Sequence, residues 1–207
     1  MSMGIAEDGF EAFEALVNKP SGRISIAFIE NAADIIPGSQ DWLPGMRQPW
    51  IDKGYLVDLI DLRDWISDRN AKDLYATLAE YDVIWVGGGH TYYLRWIMNA
   101  SGADTVILSL VDSGKIYAGW SAGAVIAAPS IKHFDKMGDD PKDAPEQIFE
   151  GLHLMEEIIV PHVDNADFAA GASATAKALR SEGYKTIGLR DGEFFSTQVS
   201  DTSKPLV

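Results

Sequence analysis

A serine flanked by small residues, Gly119-Trp120-Ser121-Ala122-Gly123, is the stretch of this chain best suited to chemistry. The pattern Gly-x-Ser-x-Gly gains meaning when a strand precedes it and a helix follows. The sharp turn between them then lifts the hydroxyl clear of the backbone. Both contexts are present, because residues 115–118 form a short apolar run and residues 122–128 are small and helix-competent. A Cβ at position 119 or 123 is expected to collide with a neighbouring turn or element. The start of the helix would aim free N–H groups at whatever the hydroxyl attacks. These features predict Ser121 as the nucleophile of an acyl-transfer enzyme.

A serine hydroxyl needs a base within hydrogen-bond reach. His162 follows an apolar run and Pro161 and precedes the polar turn Val163-Asp164-Asn165, which predicts it at the same sheet edge as Ser121. His90, directly after Gly87-Gly88-Gly89, is expected in the pocket as a substrate contact, with the base as its alternative role. His133 and His153 read as surface residues. The third member must orient the imidazole and stabilise its cation. Asp191, in a tight turn after a strand, is the choice, with Glu193 and Asp135 as alternatives and Asp164 near His162 in sequence. The glycine triplet lacks phosphate-loop and dinucleotide spacings. It fits better as an oxyanion hole, in which Gly88 or Gly89 supplies one N–H and Ala122 the other. Each such donor is worth ~3 to 4 kcal/mol in a transition state. Trp120 is expected to line the pocket through its place in the turn. No two histidines have metal-ligand spacing, and the reading calls for neither metal nor cofactor.

The elements that must position these groups alternate strand and helix. Residues 8–17 carry Phe10, Phe13 and Leu16 at helical spacing. Strands are predicted over 23–30, 55–62, 82–86, 157–161, 186–189 and 194–199. Helices are predicted over 68–80, 91–99, 103–113 and 167–182, with Leu74 and Leu78 inward in the first. Residues 31–49 read as loop, with a helix closing over 50–53, and 132–146 as a long surface loop. This alternation implies an α/β fold with a mainly parallel sheet and helices on both faces. Ligands of such sheets gather beyond the carboxyl ends of the strands, where Gly87–Gly89 and Ser121 both fall. Residues 1–207 read as a single domain.

Composition narrows the class further. A net charge of -14 argues against a nucleic-acid partner. The absence of cysteine excludes a thiol nucleophile and suits a reducing cytoplasm. Neither a signal peptide nor a membrane-length apolar stretch is expected, since Glu7, Asp8, Glu11 and Glu14 crowd the first helix.

Four pieces together carry a resemblance: Val86-Gly87-Gly88-Gly89-His90-Thr91, Gly119-Trp120-Ser121-Ala122-Gly123-Ala124, Pro161-His162 and Ile187-Gly188-Leu189-Arg190-Asp191-Gly192. In order and spacing they resemble the peptidase E family of serine peptidases, which also includes cyanophycinase. The resemblance implies a glutamine-amidotransferase-like, flavodoxin-like three-layer sandwich. It also implies Ser121 as nucleophile, His162 as base and an acid in the 190–192 segment. The family usually has glutamate there, where this chain has Asp191. It usually has asparagine after the glycines, where this chain has His90. The arginine that follows the family's histidine and holds an aspartate substrate has no match between residues 163 and 179. Residues 1–16 show no opening strand, so a shortened member is expected. The reading is a cytoplasmic dipeptidase-like hydrolase of short peptides, with a homodimer compatible. An esterase with Asp135 as its acid, or a silent peptide-binding homologue, are the rivals.

Overall fold

Side chains on a strand alternate between its two faces, and the central strands of this chain are apolar on both. In the computed structural model, which describes residues 2, 7–66 and 71–197, β1 (Ser25–Ile29) and β3 (Val83–Val86) are buried along nearly their whole length. Ile26, Phe28, Val83 and Trp85 pack into one core, and Ala27, Ile29, Ile84 and Val86 into another. Burial on both faces is what a parallel sheet covered by helices requires. The sheet runs β2-β1-β3-β4, with every pairing parallel, and β2 (Leu56–Leu59) and β4 (Ile116–Gly119) at its margins. The α/β class and the mainly parallel sheet are therefore those expected from the sequence.

On one face lie α1 (Glu7–Val17) and α2 (Ser39–Asp52). Phe10 and Phe13, three residues apart, meet Trp50 with ring centroids 4.8 and 4.9 Å away, and Trp50 meets Trp85 at 4.4 Å. Here the structure corrects the sequence reading, which ends the loop only at residue 49. Helix α2 runs through Pro44 and Pro49, although each proline removes one donor from the ladder. Burial of Trp50 among four aromatic rings offsets that loss, so packing overrides propensity.

The other face carries α3 (Ala71–Ala79), α4 (Thr91–Ser101), α5 (Ala103–Asp112) and the short α6 (Ala122–Val125). Leu74 and Leu78 are fully buried, as their spacing predicts. The expected start of α3 at residue 68 lies outside the described residues. Beyond α6 comes a separate two-stranded parallel sheet, β5 (Ile158–Val160) and β6 (Thr186–Gly188), joined through α7 (Ala169–Ser181). Ala124 of α6 packs on Ile159 and Leu189, which brings the small sheet against the helix that follows Ser121.

Two further expectations are revised. Residues 194–197 form no strand, having no partner strand among the described residues, and 198–199 lie outside them. The 132–146 segment is not merely surface. It holds two 3-10 turns, Phe134–Met137 and Pro141–Asp143, and buries Phe134. Among the described residues no helix is long and apolar enough to cross a membrane.

Candidate active site

Strands β3 and β4 are neighbours in register, Val86 opposite Gly119, so the turns that leave them emerge side by side. Both turns can approach because they are made of glycine. A Cβ on Gly123 would lie 2.1 Å from the Val86 carbonyl oxygen, and one on Gly119 2.4 Å from that of Gly123. A Cβ on Gly88 would lie 2.8 Å from the Ser121 Cβ. A larger residue at 123 or 88 would push the two turns apart, and one at 119 would open the elbow itself. Ser121 itself adopts φ 48 and ψ -116, a strained conformation for a residue with a side chain. The strain is that of a strand-to-helix elbow, and it holds the hydroxyl away from its own backbone.

His162 is delivered from the other sheet. It follows β5 by two residues, has φ 62 and is almost fully buried. Its Nε2 stands 2.9 Å from the Ser121 Oγ, and its Nδ1 2.7 Å from the Asp191 Oδ1. A carboxylate can only accept, so Nδ1 carries the proton and Nε2 presents its lone pair to the serine hydroxyl. The Phe168 ring, with its centroid 5.1 Å from that of the imidazole, packs alongside.

Asp191 follows β6, in parallel register with β5. Burial pushes its carboxyl up. Hydrogen bonds from Asn165 Nδ2 at 2.9 Å, from His162 and from the Ser2 hydroxyl at 2.9 Å outweigh that and hold it below the ordinary carboxylate value. It is thus kept anionic opposite the imidazole.

Above Ser121 lies a cleft of ≈ 420 Å³. Gly88, Gly89 and Ala122 line it beside Ser121, and Ile36, Trp42, Met46, Trp120, Phe134 and Phe168 form apolar walls. The N–H groups of Gly88, Gly89 and Ala122 have no protein acceptor among the described residues. An arrangement of this kind can lower the barrier to attack on a carbonyl, by drawing the proton off the hydroxyl and offering donors to the oxygen that becomes negative.

The sequence profile of peptidase family S51 matches residues 4–203. The chain belongs to peptidase family S51. An uncharacterized peptidase of Pasteurella multocida, PM1590, is 31% identical over 72% of this chain and 69% of its own length. A peptidase E of Nostoc sp. is 32% identical over 68% of this chain and 53% of its own. The crystal structure of a candidate peptidase E protein from Listeria monocytogenes EGD-e superposes with a TM-score of 0.73 at 25% identity, covering 91% of this chain and 88% of that one. The chain spans about half the length of several curated relatives it matches.

In this S51 member the other residues singled out from the sequence fall in different places. Trp120 lines the cleft. His90 does not line it: its Nδ1 accepts the Tyr93 N–H at 3.2 Å and caps α4, while its Nε2 lies 3.5 Å from Asp143. The glycine triplet turns His90 back towards its own helix, which sequence order could not reveal. Glu193 accepts the backbone N–H of Arg190 within its own turn. Asp135 is half exposed and pairs with Lys136 at 3.6 Å. Asp164 accepts the Asp191 N–H and braces the turn that carries it. His133 pairs with Glu182 at 2.6 Å, and His153 is exposed. Sequence reasoning missed Phe134, Met137 and Asp139 of the 132–146 segment, which line the cleft, and Phe168 and Ser2. Only the lone aromatic Phe134 in a polar stretch offered a signal.

Proposed function

We propose that this chain is a serine peptidase that hydrolyses short peptides through an acyl-enzyme. The observation that carries the reading is the unbroken line Ser121 Oγ, His162 Nε2, His162 Nδ1, Asp191 Oδ1, with separations of 2.9 and 2.7 Å. Ser121 attacks the scissile carbonyl carbon as His162 Nε2 takes its proton, and Asp191 stabilises the imidazolium without accepting the proton. The N–H groups of Gly88 or Gly89 and of Ala122 receive the oxyanion. His162 then passes the proton to the leaving amine, the C–N bond breaks, and the peptide's acyl group stays on Ser121. Water, deprotonated by His162, attacks that ester and frees the serine. The setting proposed is the cytoplasm, in keeping with a chain that has no cysteine.

The cleft suits small substrates, and its walls favour uncharged side chains. Among the described residues that line it there is no arginine or lysine, and Asp139 is the one carboxylate. An acidic side chain would leave water for an apolar site without a counter-charge, which is costly. We therefore expect dipeptides with an apolar residue at the scissile bond to be preferred over Asp-Xaa. A dipeptide library with varied first and second residues tests this. Turnover of apolar dipeptides that is lost in Ser121→Ala supports the reading. No turnover of any peptide, or turnover that survives in Ser121→Ala, refutes it.

A further inference from the structure

Ser2 lies against the base and the acid at once. Its Oγ accepts the backbone N–H of His162 at 2.8 Å, donates to the Asp191 Oδ1 at 2.9 Å and lies 3.2 Å from the His162 Nδ1. Its own N–H donates to the carbonyl of Glu193 at 3.2 Å, fastening it to the turn that carries Asp191. The residue has no exposed surface. A serine hydroxyl has one proton to give and two lone pairs. Here the proton goes to the carboxylate, and one lone pair takes the backbone N–H. The other faces the Nδ1 proton alongside the shorter bond to Asp191.

Each contact answers a need the two sheets leave open. His162 sits at φ 62, where a side-chain-bearing residue is held only by its surroundings. Its backbone N–H points inward and would be buried without an acceptor if Ser2 were absent, a loss that costs more than a neutral hydrogen bond contributes. Asp191 lies on a turn and, among the described residues, has only Asn165 on its second oxygen. The Ser2 hydroxyl, on a residue with no exposed surface, lies within 3.2 Å of both atoms of the His162–Asp191 hydrogen bond. We propose that Ser2 is a positioning residue of this site, fixing the backbone of His162 and the rotamer of Asp191 through one shielded hydroxyl.

This inference rests on the peptidase reading for its kinetic effect, while its structural effect can be read without turnover. For kinetics, Ser2→Ala is compared with the wild type in both the native and the Asp191→Asn backgrounds. In the native background kcat falls about tenfold, as expected for one hydrogen bond to a charged group, and KM stays within about twofold. In the Asp191→Asn background the part of that loss carried through the carboxylate disappears while the part carried by the His162 backbone N–H remains, so the loss is smaller than in the native background. Ser2→Thr, which keeps the hydroxyl, recovers most of kcat. An equal loss in both backgrounds, or an unchanged kcat, overturns the proposal.

The second arm is nuclear magnetic resonance of the His162 Nδ1 proton in the unliganded protein. Its exchange with water should quicken at least tenfold in Ser2→Ala, with the remaining amide spectrum preserved. If the wild type hydrolyses no peptide but this exchange still responds, the peptidase reading fails and the positioning role stands. If exchange does not respond, the role of Ser2 fails whatever the activity.

Discussion

The two halves of the site are held by opposite means. Ser121 and its neighbouring N–H groups are placed by backbone against backbone, at turns where glycine alone leaves room. His162 and Asp191 are placed by side-chain hydrogen bonds, from Asn165 and Ser2 to the carboxylate and from the His162 backbone to Ser2. Among the described residues they stand on a sheet of two strands. A steric site has no substitute for its glycines and fails with the fold. A hydrogen-bonded site can lose a member and stay folded, so its damage appears in chemistry first.

That contrast can be broken experimentally, starting where the effect should be greatest. Gly123→Ala puts a methyl 2.1 Å from the Val86 carbonyl oxygen. It should destabilise the protein by about 3 kcal/mol or more, read as a drop in Tm together with loss of activity. Asp191→Asn should lower Tm by less than Gly123→Ala does, yet lower kcat by on the order of 10⁴-fold, because the imidazole loses its anionic partner and its tautomer. Gly88→Ala lies between the two regimes. Its new Cβ meets the Ser121 Cβ at 2.8 Å and displaces a donor, for a loss of roughly 10²- to 10³-fold in kcat at modest cost in Tm. A Gly123→Ala protein with normal Tm would remove the steric half of this contrast.

The smallest effect sharpens the polar half. The Asp191 carboxyl titrates below its ordinary value of 3.8, so its native contacts stabilise the fold fully above that value. That contribution is lost only as pH falls through the lower folded value. Asn165→Ala removes one of the three hydrogen bonds that depress it, so acid unfolding should begin at higher pH, while kcat near neutrality falls by about tenfold or less. Circular dichroism across an acid titration reads the first effect. An unchanged acid limb would mean that Asn165 does not help to hold the charge.

The same division explains what was legible in the sequence. Glycine-enforced turns announce themselves, so the elbow, the triplet and their adjacency were readable from residue types and strand order. So were α4, α5 and the alanine-rich α7, expected over 91–99, 103–113 and 167–182. Helix α2 was hidden because Pro44 and Pro49 obscure a segment that Trp50 anchors by tertiary contacts. The cleft wall from Phe134 to Asp139 was hidden by the polar residues around it. The rotamer of His90 and the approach of Ser2, 160 residues from His162, depend on three-dimensional closure that no local pattern encodes.

The central claim is that the Ser121 hydroxyl is activated by His162, and an active-site-directed fluorophosphonate tests it most directly. Intact-mass and peptide mapping should find one adduct, on Ser121, absent in Ser121→Ala and formed far more slowly in His162→Ala. No adduct on the native protein, or an adduct whose rate ignores His162, would contradict the account.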